Sequence, residues 1–283
     1  MKYFVVFGIL LLLSIPVSLK IYQVIFSSAE NPGKKPSQID TYKIYYDSPT
    51  PELIRKMQKL DMVIIEPHHY SEEEIQRIKE HGTIVFGYLN VMEIDNWNDS
   101  VRNEVNSNDY FYRNGEKIYY PKWDSYLADI SSEHYQNLLL REIETEISAK
   151  KTDGIFLDTV GNIDNEHLQS PAVLQEQQTA ITSFIKSFHE RYPDLLIAQN
   201  WGFHTLKNHT APYVDFIMWE SFHFSSLTND QWSLDQIKML NELKEQHEFE
   251  VLTVSFEEGR KSRELADRNG YIHLHTSEDY LKW

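Results

Sequence analysis

The sequence contains no cysteine. That single absence excludes disulfides, thiolate metal sites, cysteine nucleophiles and a lipoprotein attachment point, so stability has to come from packing. Also missing are a Gly-x-Ser-x-Gly elbow, a phosphate-cradling Gly-Lys-Ser/Thr loop and a Gly-x-Gly-x-x-Gly turn, which disfavours serine hydrolases, nucleotide hydrolases and dinucleotide enzymes. His273 and His275 lie two apart, a metal-ligand spacing on a strand. No His-Glu-x-x-His and no Asp-rich loop accompanies them, and neither a metal nor another cofactor is expected. Positive charge is scarce: 27 Lys and Arg stand against 43 Asp and Glu, a formal net charge of -16. Ahead of Thr41 lie Lys2, Lys20, Lys34 and Lys35 but only Glu30 and Asp40, so the rest of the chain is more acidic still. Such a field repels nucleic acid and anionic membrane surfaces and concentrates cations, and it also serves plain solubility.

No apolar run reaches the usual membrane span of roughly 20 residues. Met1-Lys2 followed by the apolar stretch from Tyr3 to Val17 has the shape of a targeting segment. Lys20 interrupts that stretch and Ile21 to Phe26 resumes it, so residues 1–29 read as a signal peptide or a membrane anchor, with Ser27-Ser28-Ala29 as a plausible cleavage point. The polar, turn-rich residues 30–40 read as a linker. Residues 41–283 then form one catalytic-sized domain, exported to the cell surface or beyond.

Along that domain eight apolar runs of strand length recur, at 43–46, 62–66, 83–90, 154–158, 195–200, 216–220, 251–255 and 271–275. Amphipathic stretches at 51–60, 71–81, 133–150, 171–191, 233–246 and 257–269 fit helices between most of them. Repeated βα units predict an α/β fold, a (β/α)8 TIM barrel, because closure removes the edge strands an open sheet would expose. The longest interruption, 91–132, is aromatic-rich: it holds Trp97, Tyr110, Phe111, Tyr112, Tyr119, Tyr120, Trp123 and Tyr126. Asn114-Gly115 inside it signals a hairpin. As a βα loop it projects from the catalytic face, where Trp97, Tyr120 and Trp123 suit sugar faces and an ammonium sugar; a small satellite core is the alternative.

Two strands end in carboxylates. Gly-Ile-Phe-Leu-Asp delivers Asp158 and Phe-Ile-Met-Trp-Glu delivers Glu220, while Leu-Ile-Ala-Gln-Asn delivers Asn200 between them. Alternation puts Phe156 with Asp158, Ala198 with Asn200, and Phe216 and Met218 with Glu220 on single faces. If that face is the lumen, the three polar tips converge above an apolar floor, and burial plus proximity keeps one carboxyl protonated near neutral pH. An acid/base pair of this kind cleaves glycosidic bonds, although an acid past a strand is also an ordinary helix cap. Glu93 and Asp95, just past the third strand, are candidates for holding a positively charged sugar substituent. Asp47, Tyr88 and Trp201 are candidates to line the same mouth.

The segments Gly87-Tyr88-Leu89-Asn90-Val91-Met92-Glu93, Asp153-Gly154-Ile155-Phe156-Leu157-Asp158, Ala198-Gln199-Asn200 and Trp219-Glu220-Ser221 resemble, in order and spacing, those of glycoside hydrolase family 114. That family comprises endo-α-1,4-polygalactosaminidases and the related hydrolase domain of a biofilm-exopolysaccharide modification protein. The resemblance runs from about Tyr42 to the C-terminus. It implies a (β/α)8 barrel, metal-independent hydrolysis of galactosamine-rich polymer and catalytic roles for Asp158 and Glu220, with nucleophile and acid/base exchangeable. Many relatives carry Gly where this chain has Met92. A cationic, partly deacetylated polymer is the partner that the acidic domain would attract. The competing expectation is a membrane-tethered barrel that binds carbohydrate without turning it over.

Overall fold

The computed structural model of the chain describes residues 35–276 and 279–283. The leader expected at 1–29 and the first part of the linker fall outside them. Among the described residues no helix is long and apolar enough to cross a membrane.

Folded structure begins a little ahead of Thr41. Pro36–Gln38 forms a 3-10 turn, and Ile39 is buried with the lumen side chains. The barrel strands then follow in the predicted places: β1 (Tyr42–Tyr45), β2 (Met62–Ile65) and β3 (Ile84–Asn90). An insertion contributes β4 (Glu93–Asp95), β5 (Tyr112–Arg113), β6 (Glu116–Lys117), β7 (Tyr119–Tyr120) and β8 (Ser125–Leu127). The barrel resumes with β9 (Gly154–Asp158), β10 (Leu196–Asn200), β11 (Phe216–Trp219), β12 (Glu250–Ser255) and β13 (Ile272–His275). Order β1-β2-β3-β9-β10-β11-β12-β13, with every neighbouring pair parallel, makes this a (β/α)8 barrel. It is nearly closed. β1 and β13 lie side by side, but no ladder joins them among the described residues.

Strand alternation fills the lumen with Ile44, Ile64, Phe86, Phe156, Phe216, Met218, Leu252 and Val254, all buried in one cluster. Gly154 opens β9 because the Phe86 ring occupies the space its side chain would need: a Cβ there would stand 2.5 Å from Phe86 Cε1 and 2.7 Å from the Leu196 carbonyl oxygen. The opposite strand faces pack against the helices, where Ile155, Leu157, Ile197, Ile217 and Trp219 join the larger core. Helix starts follow the sequence chemistry: Thr50 caps the helix at Pro51–Met57, and Ser71 with Glu74 forms a capping box. Gly82 and Gly270 end their helices in left-handed backbone, as expected of C-terminal caps. One helix departs from expectation. The stretch at 133–150 is α-helical only over Glu133–Glu142 and widens to a π-helix over Ile143–Ser148.

Candidate active site

Asp158 and Asn200 end β9 and β10, and Glu220 follows β11 directly. Their side chains meet. The Asn200 amide donates from one nitrogen to Asp158 Oδ1 (2.7 Å) and to Glu220 Oε2 (3.0 Å). Asp158 also accepts from the Thr159 N–H (2.7 Å) and from the Tyr88 hydroxyl. Tyr280, on the segment after β13, donates its hydroxyl to Glu220 Oε1. The amide orientation of Asn200 is dictated by this arrangement, since the opposite one would press its oxygen against two carboxylates. Its Oδ1 is a buried acceptor with no hydrogen-bond partner among the described residues.

Both carboxyls hold their protons more tightly than usual, Asp158 because of burial and Glu220 because of burial and then the charge of Asp158. The donors are distributed unequally. Asp158 has three that favour its ionised form, Asn200, Thr159 and Tyr88. Against Tyr280, Asn200 and the Lys122 charge, Glu220 carries the added repulsion of Asp158. By hydrogen bonds alone the ionised form is better supplied at Asp158, with three donors, than at Glu220, with two.

Each of the three tips is followed by a residue in left-handed backbone: Thr159 (φ 63), Trp201 (φ 55) and Ser221 (φ 57). None is glycine. Such conformations cost about 1–2 kcal/mol apiece for L-residues and persist where the surroundings impose them. Here they turn the chain sharply just above the lumen, so that three consecutive strands end on converging polar side chains. Thr159 is held by donating to Asn90 Oδ1 (2.6 Å) and accepting from the Met92 N–H (2.9 Å).

The insertion sits on the same face. Its β4-β8-β7 sheet is fastened to the short helix after β9, Gly161–His167, for Asn162 donates to Glu93 Oε1 (2.8 Å) and Tyr120 to Glu166 Oε1 (3.0 Å). Asn114-Gly115 makes the expected hairpin, joining β5 to β6. The charge of Lys122, in the turn between β7 and β8, acts on the Glu220 carboxyl. Trp97 and Trp123 are exposed (53% and 60%), the first edge-on to His68 and the second beneath Lys122 Nζ. Trp201 is half-buried against Phe203 and Trp219, and Tyr88 against Tyr46 and Phe156. Tyr120 is half-buried with its hydroxyl committed to Glu166.

The two acids expected to hold a charged sugar substituent, Glu93 and Asp95, are engaged by the protein's own donors. Glu93 and Asp95 do not present free carboxylates to the mouth: both are buried (7% and 8%), Glu93 clasped by Ser125 and Asn162, and Asp95 accepting from Asn90 Nδ2 (2.9 Å). With Glu66, His68 and Glu142 they surround a cavity of about 10 Å³, room for about one water. The reason is local: once Asn90, Ser125 and Asn162 supply donors, the acids tie the insertion to the barrel. Asp47 is exposed and caps its own turn through the Ser48 N–H (2.7 Å). His273 spends both ring nitrogens on Thr253 Oγ1 (2.8 Å) and Ser255 Oγ (3.0 Å).

Burial pushes Asp95 up to about 7. Its folded form therefore binds a proton more tightly than the unfolded chain does. The stability it contributes is complete below the unfolded carboxyl range, about pH 4, and drains away as pH rises through about 7. Asp95→Asn keeps the shape and cannot ionise. In urea unfolding, the stability difference favouring the variant should widen by about 2 kcal/mol from pH 5 to pH 8; a constant difference would mean that Asp95 stays ionised throughout.

Tyr280, Tyr46, Asn162 and Lys122 were not anticipated as site residues. Tyr46 lies near enough to both carboxyls for their charges to act on it. Only Tyr46 carried a usable signal, being at the C-terminal end of a predicted strand.

No curated protein sequence matches the chain. Among solved structures it is similar to the glycoside hydrolase domain of PelA from Pseudomonas aeruginosa, at TM-score 0.70 and 20% identity over 86% of this chain and 97% of that one. It is also similar to Ega3 of Aspergillus fumigatus, solved in complex with galactosamine, at TM-score 0.64 and 13% identity over 86% and 94% of the two chains. A third, more remote likeness is to the α-galactosidase TtGalA from Thermus thermophilus, at TM-score 0.55 and 9% identity over 88% and 64%. At these identities the likenesses speak for the barrel fold. The model of the glycoside-hydrolase family GH114 matches residues 25–273, most of the chain, and takes in Asp158, Asn200 and Glu220. The chain belongs to glycoside hydrolase family GH114.

Proposed function

We propose that the protein is an exported, endo-acting hydrolase of galactosamine-rich exopolysaccharide, working by double displacement with Asp158 as nucleophile and Glu220 as acid/base. The observation that carries this reading is the shared Asn200 amide. Because one nitrogen bonds both carboxyls, their nearest oxygens can lie no farther apart than those two bonds laid end to end. That span suits the roughly 5–5.5 Å of a retaining site better than the roughly 6.5–9.5 Å that an inverting site keeps open for water. In the first step Glu220 gives its proton to the leaving glycosidic oxygen while Asp158 attacks the anomeric carbon, forming a glycosyl-enzyme. In the second, Glu220 takes a proton from water as that water displaces Asp158.

The amino-sugar assignment has two supports. Ega3 binds galactosamine in its solved complex, and the acidity of this chain favours a cationic polymer. Trp97 and Trp123, exposed on the insertion, and Trp201, half-buried after β10, are the rings proposed to meet sugar faces. Export, with a location outside the cell or at its surface, rests on the leader-like residues 1–29.

The test is to incubate the purified protein with galactosamine polymers of graded acetylation and with a glucosamine polymer, and to identify the released oligosaccharides by mass spectrometry. Internal cleavage of galactosamine polymer with retained anomeric configuration supports the reading; binding without any product would leave the tethered carbohydrate-binding barrel in its place. Salt provides a separate expectation. Initial rate on the deacetylated polymer should fall several-fold as ionic strength rises past about 0.15 M, where the screening length is about 8 Å, while the rate on acetylated polymer stays flat. Parallel curves would assign the acidity to solubility alone.

A further inference from the structure

The seam between β1 and β13 is the one place where the ladder of the barrel stops among the described residues. The segment after β13 returns to it. The Tyr46 N–H donates to the Tyr280 carbonyl (2.7 Å), and the two rings meet edge to face at 5.4 Å. Phe256 lies against the Tyr280 ring (6.1 Å), and farther along Trp283 packs on Tyr45 (5.8 Å). Tyr280 is thereby pinned by backbone and ring to the end of β1, with its hydroxyl on Glu220 Oε1. The family match ends at residue 273, so this contact comes from a part of the chain that the family pattern does not reach.

The two oxygens of Glu220 are not equivalent. Oε2 receives the Asn200 amide, which can only donate, so Oε2 stays an acceptor whatever the state of the carboxyl. A proton on Oε1 leaves the better acceptor, the carbonyl-like Oε2, to the Asn200 amide, and at Oε1 the phenol of Tyr280 can accept from it or, after ionisation, donate to it. Burial and then the charge of Glu220 push the Tyr280 phenol far up, so it keeps its own proton throughout. The other titratable groups that feel the Glu220 charge, or act on it, are Asp158, Lys122, Tyr42 and Tyr46. The hydrogen bond to Oε1 seen among the described residues is that of Tyr280.

We propose that Tyr280 is a positioning residue for Glu220, its phenol fixing Oε1 in place and donating to it as the Glu220 proton leaves for the glycosidic oxygen. The inference rests on the glycosidase reading above. In the step concerned the bond between the anomeric carbon and the leaving oxygen breaks, its electron pair goes to that oxygen, and the oxygen takes the proton of Glu220. The new carboxylate then receives a charge-assisted bond from Tyr280 that the neutral acid did not have. Since that bond strengthens along the reaction, it acts on the transition state more than on bound substrate.

Tyr280→Phe in the full chain keeps the ring contacts and removes the hydroxyl. We expect kcat to fall about tenfold with KM within about threefold, the effect of a hydrogen bond to a developing charge. The alkaline limb of the rate profile should move upward, because the ionised acid has lost a donor. Glutamate labelled with ¹³C, with the Glu220 signal assigned by its loss in Glu220→Gln, should show the same upward movement without substrate. Incorporating 3-fluorotyrosine at 280, a more acidic phenol of nearly the same shape, should move the limb downward. An active enzyme in which Tyr280→Phe leaves the Glu220 titration unchanged, or loses rate equally at every pH, would overturn the role and leave Tyr280 as packing. A native protein that cleaves no glycan would sink the glycosidase reading, and the catalytic half of this one with it, whatever the titration shows.

Discussion

Asp158→Asn and Glu220→Gln should each lower kcat on the natural polymer by at least about a thousandfold, within the range expected when a reacting group or general acid is lost. Neither change opens a cavity, and each removes a carboxyl whose ionised form is opposed by burial. Thermal midpoints should therefore stay at or slightly above the native value. The two variants separate on an activated aryl glycoside, whose leaving group departs without help from an acid. Glu220→Gln should recover most of its first-step rate there; Asp158→Asn should recover none, since no nucleophile remains. If Glu220→Gln kept more than about a tenth of native activity on polymer, far above what loss of the acid allows, another group would be supplying the proton. Glu93, whose carboxyl feels the charge of Asp158, would be the first to test.

The readability of this site in the sequence follows from how local each signal is. Asp158 and Glu220 were legible because a short apolar run closed by a carboxylate is both a strand pattern and an energetic oddity, and β9 occupies the predicted residues Gly154–Asp158. Asn200 was legible by the same alternation. The Asn-Gly hairpin at 114–115 needed only neighbouring residues. By contrast, whether Glu93 faces solvent depends on donors remote in sequence, Ser125 and Asn162, and Asp95 accepts from nearby Asn90, which is itself held by the distant Thr159. No composition of the segment 91–95 reveals that. Tyr280 lies beyond the last strand, outside any periodic pattern. The left-handed turns at Thr159, Trp201 and Ser221 occur on residues that ordinarily avoid that conformation, so a search for glycine passes over them. The widening of the helix at Ile143–Ser148 likewise has no proline or glycine to announce it.

The amide of Asn200 bonds both carboxyls, whose charges also act on each other directly, and Asn200→Asp tests what that shared donor contributes with the smallest change in shape. The substitution replaces a donor shared by Asp158 and Glu220 with a third acceptor at hydrogen-bond distance from both. Three carboxylates cannot remain ionised together in a buried site, so the group must hold an additional proton or separate. In the mechanism proposed above Asp158 needs to be ionised to attack. Its ionisation would be delayed by the new neighbour, and the acid limb of the kcat/KM profile should move to higher pH. Activity near neutral pH should fall about a hundredfold or more, the combined effect of losing a charge-assisted donor and adding a like charge. Stability should follow the same sign: a buried carboxyl with a raised folded pKa contributes fully at low pH and less as pH rises, so Asn200→Asp should unfold more readily at pH 8 than at pH 5. Asn200→Ala separates the two causes. It removes the donor without adding charge, and so should lose rate while moving the acid limb less and leaving the pH dependence of stability close to native. An Asn200→Asp enzyme whose acid limb stays where the native one lies would mean that the amide merely fills space between the carboxyls, and the contribution assigned to it would have to be sought in Tyr88 and Tyr280, which remain bonded to one carboxyl each.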